Sequence, residues 1–283
     1  MPQVPEPPIP LPPGSLVHVP GRGEFLVRDS GGDGPPVLLL HGWMFSADLN
    51  WFRTYDALID AGYRVLALDH RGHGRGLRTS EPFTLRACAD DAAAVLAKLD
   101  VAPVVAVGYS MGGPIAKLLA RHHPVRVRAL VLAATANDWS DPRMKAFWRT
   151  MAALRLVLGA APNAVWRRGL KAAGFPESST TAWTAAELSR GNARDLAEAG
   201  RELGRFDSHD WAGGIAMPTA VIVTTKDTAV PPDKQRALAD SLGAQTFDVR
   251  GDHAAVSVKA DEFNATLLRA LDAVRATEPA AAV

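Results

Sequence analysis

Short apolar runs alternate with stretches of helical spacing along most of this chain, and the alternation predicts its architecture. Residues 36–40 and 64–68 are apolar runs bounded by turn residues, the pattern of strands buried on both faces of a sheet. Between them, 51–61 has helical spacing. The order continues with a helix over 85–99, a strand over 104–107, a helix over 111–122 and a strand over 129–134. Ahead of these, two β-rich pieces, 16–19 and 24–28, flank Gly21, Arg22 and Gly23 and predict an antiparallel hairpin. Such alternation gives an α/β fold with a doubly wound, mostly parallel sheet, because parallel neighbours need a crossover long enough to hold a helix.

After Thr135 the rhythm breaks. No clear strand returns until 219–225, and the intervening residues are rich in Ala, Leu, Arg and Trp at helical spacing. The alternation then resumes with a helix over 233–242, a strand over 245–249 and a helix over 260–276. The expected division is a core from 1–136 and 214–283 carrying a helical cap inserted at 137–213. Residues 1–15 read as a proline-rich arm in extended conformation, and 277–283 as a frayed end.

Composition narrows the classes of function. The chain has 283 residues, 47% hydrophobic and 22% charged, which is ordinary for a folded protein and far from the disordered corner. Its formal net charge is +1, with no block of about five or six like charges, so neither nucleic acid nor an anionic membrane is expected as a partner from the overall balance. A small, weakly charged molecule is expected instead. The one cysteine, Cys88, cannot close an intramolecular disulfide and lacks the spacing of a metal ligand, so it reads as a structural thiol. The N-terminus has no basic start followed by an apolar run, and no stretch is apolar over the roughly eighteen residues a span needs. A cytoplasmic location follows as the expectation, while oligomeric state stays open.

The chemistry is carried by Gly108, Tyr109, Ser110, Met111, Gly112 and Gly113, which follow the 104–107 strand and open the 111–122 helix. Small residues around Ser110 let the chain turn sharply, so its hydroxyl can stand at the carboxyl edge of the sheet. With His41, Gly42 and Trp43 after the third strand, and Asp69, His70, Arg71, Gly72, His73 and Gly74 after the fourth, the chain resembles the α/β-hydrolase family over nearly its whole length. The resemblance implies the fold strongly and the substrate weakly, because one fold hosts many chemistries.

A serine hydroxyl needs an adjacent imidazole to take its proton, and the imidazole needs a carboxylate to fix its tautomer. His253 lies just after the last expected strand, in the chain order serine, acid, histidine. His70 and His73 read as structural or rim residues, and His41 as a brace for its loop. For the acid, Asp227 follows the 219–225 strand, where the family commonly carries it. Asp138 after 129–134 is the alternative position, and Asp252 reads as a loop-capping residue. By resemblance, backbone N–H groups of Met111 and Trp43 form the oxyanion hole, with Met44 as the alternative to Trp43.

The insertion is rich in large apolar residues, and Trp139, Phe147, Trp148 and Met151, with Trp43 and Tyr109, are the expected substrate-binding set. These lead to a carboxylic ester of a small apolar or acyl substrate, cleaved through an acyl-enzyme on Ser110 with no metal or organic cofactor. The same triad serves lactone or C–C bond hydrolysis, and the fold also occurs in small-molecule receptors. An aspartate in place of Ser110 would have pointed to dehalogenase or epoxide chemistry.

Overall fold

The computed structural model describes residues 5–101, 103–140, 142–160, 162–172 and 174–277. Residues 1–4 of the proline-rich arm and 278–283 of the end expected to fray lie outside them. Strand β1 (Gly14–Val19) pairs antiparallel with β2 (Gly23–Asp29) around the Gly21 turn. The chain continues through β3 (Pro36–Leu40), α1 (Ala47–Trp51), α2 (Tyr55–Asp60), β4 (Arg64–Leu68), α3 (Leu85–Lys98), β5 (Val104–Tyr109), α4 (Gly112–His122) and β6 (Val127–Ala133). Helices α5 (Pro142–Trp148), α6 (Met151–Ala160), α7 (Pro162–Ala172), α8 (Ser179–Leu188), α9 (Ala193–Arg205) and α10 (His209–Ala212) follow before β7 (Thr219–Thr224). Then come α11 (Pro232–Leu242), β8 (Gln245–Val249), α12 (Ala255–Val258) and α13 (Ala260–Ala276).

Among the described residues the sheet has eight strands in the order β1-β2-β4-β3-β5-β6-β7-β8. The pairs from β4 to β8 are parallel, and β1 and β2 are antiparallel at one edge. Alternate side chains of each strand point to opposite faces, so the sheet carries two apolar layers. Leu38, Leu66, Ala106, Leu130 and Val221 pack with α3, α4 and α11, while Val37, Val65, Val105, Val131 and Ala220 pack with α1, α2 and α13. The continuous apolar runs in the sequence are the mark of strands covered on both sides.

The chain reverses direction across the sheet between β3 and β5, whose register pairs Leu40 with Gly108. That adjacency sets the loop after β3 beside the turn after β5, in the crevice where open α/β sheets hold ligands.

Two local differences from the sequence expectation have clear causes. Where the spacing predicts one helix over 51–61, α1 starts earlier and ends at Trp51 and α2 begins only at Tyr55, because polar groups override the apolar period. Asp69 accepts the Ala47 N–H at 2.6 Å and Ser46 Oγ accepts the Leu49 N–H at 3.1 Å, starting a helix early. The chain then turns, the Thr54 N–H returning to the Trp51 carbonyl at 2.7 Å. Helix α12 escaped the periodicity because a single turn carries too few positions to show one.

The two ends of the segment between β6 and β7 meet at a buried polar cluster. Ser208 N–H donates to the Asn137 carbonyl at 3.1 Å. The ammonium of Lys117, on α4 and wholly buried, donates to Ser208 Oγ at 2.6 Å and to the Ala136 carbonyl at 3.1 Å. Burial pushes that lysine down to about 7, against the opposing pull of Asp207 and Asp138.

Candidate active site

Ser110 sits at φ +51°, a left-handed conformation that a non-glycine residue adopts only when its surroundings impose it. Packing supplies that constraint. A Cβ on Gly112 would stand 2.0 Å from the Leu40 carbonyl oxygen, and one on Gly113 would stand 2.3 Å from Thr135 Oγ1. The glycines therefore let α4 start hard against β3 and β6, and the turn between β5 and α4 is forced to be tight. Thr135 Oγ1 donates to the Ser110 carbonyl at 2.9 Å and holds the turn from the other side.

From this turn the Ser110 hydroxyl lies 2.9 Å from His253 Nε2, and His253 Nδ1 lies 2.7 Å from Asp227 Oδ2. Each partner is itself held. The Tyr109 hydroxyl donates to the His253 carbonyl at 2.8 Å, fixing the loop between β8 and α12. Asp227 Oδ1 accepts the N–H groups of Ala229 and Val230 at 2.9 Å each, and Oδ2 accepts the Thr224 hydroxyl at 2.8 Å. These bonds satisfy a carboxylate that is otherwise buried, and they leave one oxygen edge for the imidazole.

Asp138, the alternative acid, is engaged elsewhere. Its carboxylate accepts from Ser140 and from Lys234 Nζ at 3.1 Å, bonds that hold it down to about 2 against the opposing effect of its burial, and its backbone forms an isolated antiparallel bridge with that of Asp207. Asp252 Oδ1 accepts the Ala254 N–H at 2.9 Å, as a loop cap does.

A cavity of about 380 Å³ opens above Ser110, lined by Trp43, Phe45, Tyr109, Trp139, Phe147, Trp148, Leu203, Val230 and His253, among others. Of the expected binding residues, Trp43, Tyr109, Trp139, Phe147 and Trp148 border it. Met151 does not: its side chain is buried among core residues behind the wall, where a Cβ on Gly200 would come within 2.5 Å of its sulfur. The abundance of large apolar residues in this segment put Met151 in the expected set, but α6 turns that position toward α9. Sequence reasoning missed Phe45, Asn50, Leu203, Ala229 and Val230. Asn50 carried a local signal, a polar residue amid an apolar helix stretch. It is buried, its Oδ1 accepts the Gly42 N–H at 3.0 Å, and its Nδ2 has no protein partner among the described residues.

The loop after β3 bends at Met44, φ +67°, and Trp43 is anchored by its indole N–H, which donates to the Leu196 carbonyl of α9 at 2.8 Å. Its ring meets Trp148 edge-on at 5.3 Å. The Met111 side chain is fully buried, and its backbone begins α4 next to Ser110. Behind the loop, His41 Nε2 accepts the His70 N–H at 2.9 Å, and the rings of His41 and His70 meet at a tilt with centroids 4.1 Å apart. Burial pushes His70 down to about 3 and His73 to about 4, and His41 is lowered by the same cause, so all three are neutral braces.

A family model described as alpha/beta hydrolase fold matches residues 35–255, well over half of the chain. A non-heme haloperoxidase of Rhodococcus erythropolis is 43% identical over 102 residues, which is 36% of this chain and 37% of that protein. The chain thus matches little more than a third of the length of the first such relatives. A pimeloyl-acyl-carrier-protein methyl ester esterase of Chromobacterium violaceum is 31% identical over 218 residues, covering 75% of this chain and 83% of that one. Among solved structures, a hydrolase from Pseudomonas aeruginosa PA01 superposes with a TM-score of 0.79 at 25% identity, over 91% of this chain and 98% of that one.

Proposed function

The chain belongs to the α/β-hydrolase family, and from that premise we propose that it is a serine hydrolase that cleaves a carboxylic ester of a small apolar or acyl substrate. The observation that carries the reading is the continuous relay from Ser110 Oγ through His253 to Asp227 at the floor of an apolar cavity.

In this reading His253 Nε2 takes the Ser110 proton as Oγ attacks the ester carbon, and Asp227 stabilises the imidazolium and keeps Nδ1 protonated. The oxyanion is received by the backbone N–H groups of Met111 and Trp43, each such donor being worth roughly 3–4 kcal/mol in the transition state. The imidazolium then gives its proton to the departing alcohol, leaving an acyl-enzyme. Water enters, loses a proton to Nε2, attacks the acyl carbon and releases the acid with Ser110 restored. The helices of 137–213 act as a cap over the cavity, with Trp139, Phe147 and Trp148 walling the acyl group. Apolar walls around one polar relay suit an acyl or aryl group better than a charged metabolite. The ester activity of the Chromobacterium relative supports the reaction class, though its substrate is stated of that protein alone.

The test is covalent labelling with an alkyl fluorophosphonate followed by peptide mapping, paired with an aryl-ester chain-length panel. The expected adduct is on Ser110, and the expected turnover disappears in Ser110→Ala. An adduct on another serine would falsify the assignment. Labelling of Ser110 without ester turnover would move the reading to lactone or C–C bond cleavage, or to a receptor.

A further inference from the structure

The net charge of +1 averages over an uneven distribution. Residues 142–176 contain seven Lys or Arg and no Asp or Glu, so the stretch from α5 to just past α7 is strongly cationic within a nearly neutral chain. The same stretch holds four exposed large apolar side chains among the described residues: Phe147 at 41%, Leu156 at 75%, Val157 at 50% and Phe175 at 49%. Elsewhere such side chains are scattered singly, which is ordinary; here they are gathered among cations, which is not.

Helix geometry fixes how they lie. Helix α6 buries Met151 and Leu158, and its other side presents Ala152, Ala153, Leu156, Val157 and Ala160 to solvent with Arg155 among them. On α7, Lys171 lies three residues after Arg168 and four after Arg167, and all three are exposed. Phe175 shares a cleft with Arg167 and Lys171, and Arg149 shares another with Arg201, Arg205 and the active-site wall residue Trp148. Arg167 has one distant partner, Glu177 at 4.0 Å. Among the described residues Arg149, Arg155, Arg168 and Lys171 have no carboxylate within ion-pair distance.

A second copy of the chain would set this cationic face against itself, which like-charge repulsion opposes. Aliphatic side chains ringed by cations instead match a surface that is anionic outside and apolar beneath. We propose that the α6–α7 face docks on an anionic lipid bilayer, Arg149, Arg155, Arg167, Arg168 and Lys171 meeting the headgroups and Leu156 and Val157 entering the boundary with the acyl chains. Among the described residues no helix is long and apolar enough to cross a membrane, so the contact is with its surface. Each cation beside an anionic bilayer strengthens binding roughly fivefold, and the effect fades within a Debye length. Docking would bring Phe147 and Trp148, which wall the cavity over Ser110, next to the bilayer and shorten the path of an apolar ester into the site.

The test is co-flotation of Ser110→Ala protein with vesicles of mixed phosphatidylglycerol and phosphatidylcholine, against vesicles of phosphatidylcholine alone. Using that variant separates docking from the ester-hydrolase reading, since neither lipid turnover nor a working nucleophile enters the result. Binding to the mixed vesicles is expected to exceed binding to phosphatidylcholine by at least tenfold or so, and to weaken steeply with added salt. Leu156→Asp and the combined change Arg155→Glu, Arg168→Glu, Lys171→Glu should each abolish it, with unaltered circular dichroism. In the protein with Ser110 intact, these changes should leave turnover of a short soluble ester as it was. Equal binding to both vesicles, no binding at low salt, or capture of an acidic soluble protein without vesicle binding would overturn the proposal.

Discussion

Helices α8 and α9 and helices α6 and α7 belong to the same segment between β6 and β7, yet they meet their surroundings in opposite ways. On α8, Glu187 is buried and pairs with Arg75 at 2.7 Å and Arg190 at 2.8 Å while accepting the Ser46 hydroxyl at 2.9 Å. On α9, Glu198 accepts the Phe83 N–H at 2.8 Å, and Arg194 donates to the Glu81 carbonyl at 2.6 Å. These helices are tied to the core through α1 and the long loop after β4. Among the described residues, helices α6 and α7 leave most of their cations without a carboxylate and expose Leu156 and Val157 to solvent. Both pairs read in sequence as charged helices with apolar stripes. What separates them is whether acids accompany the bases: a buried arginine needs a carboxylate, and a solvated one does not.

The largest expected effect lies outside both pairs and asks whether chemistry resides in the core alone. Asp227→Asn should lower kcat by about four orders of magnitude, as removal of the orienting carboxylate does elsewhere. Asp138→Asn, at the root of the helical segment, should leave kcat within a few-fold. Steady-state turnover of one aryl ester checks both, and the reverse outcome would transfer the acid to Asp138.

The contrast between the two helix pairs is tested by stability. Glu187→Ala removes the buried carboxylate that Arg75 and Arg190 share; both arginines are partly solvated and Arg75 keeps Asp48 at 3.3 Å, so the change should cost about 1–3 kcal/mol in denaturant unfolding. Arg168→Ala, on the solvated face of α7, should stay within about 0.5 kcal/mol. Similar losses from both would erase the distinction.

A smaller effect concerns how α9 shapes the cavity. A Cβ on Gly204 would stand 2.5 Å from Trp148 Cδ1, so Gly204→Ala must displace the indole or the helix. Displacement of Trp148 into the cavity should lower kcat/KM for the longest accepted acyl chain by about tenfold, the worth of a methylene or so, while an acetyl ester is little affected. A uniform loss over all chain lengths would show that the helix moved instead.

Another effect is a pH slope at the junction of core and helical segment. Lys117 is held near 7 when folded against 10.5 as its ordinary value. Between those values the unfolded chain binds more protons than the folded one, so stability rises with pH across the window. The cost of burying the charged ammonium is complete below about 7 and fades above it. Unfolding free energies at neutral and mildly alkaline pH should therefore diverge in the wild type and converge in Lys117→Met. An equal slope in both would assign the dependence to other groups.

Much of this molecule was legible in the chain because its signals are local. The strands buried on both faces announce themselves as apolar runs, and the glycines around Ser110 mark a turn that no larger residue could enter, given Leu40 and Thr135 beside it. His253 and Asp227 could be singled out because each follows a strand whose end faces one edge of the sheet. The early start of α1 ahead of residue 51 was hidden, since it depends on Asp69 reaching Ala47 across the sheet edge. The places of Asn50, Leu203 and Val230 in the cavity wall were hidden too, because each comes from a different element and only their convergence makes a wall.

By itself, then, the sequence determined the order of elements, the tight turn at Ser110 and the cationic bias of 142–176, because hydrophobic period, glycine placement and charge are properties of neighbouring residues. Tertiary structure decided the rest: that Asp227 and not Asp138 lies within 2.7 Å of His253, that Met151 faces α9 while Trp148 faces the cavity, and which arginines found a carboxylate. Those outcomes turn on distances between residues far apart in the chain, which depend on how the elements pack against one another.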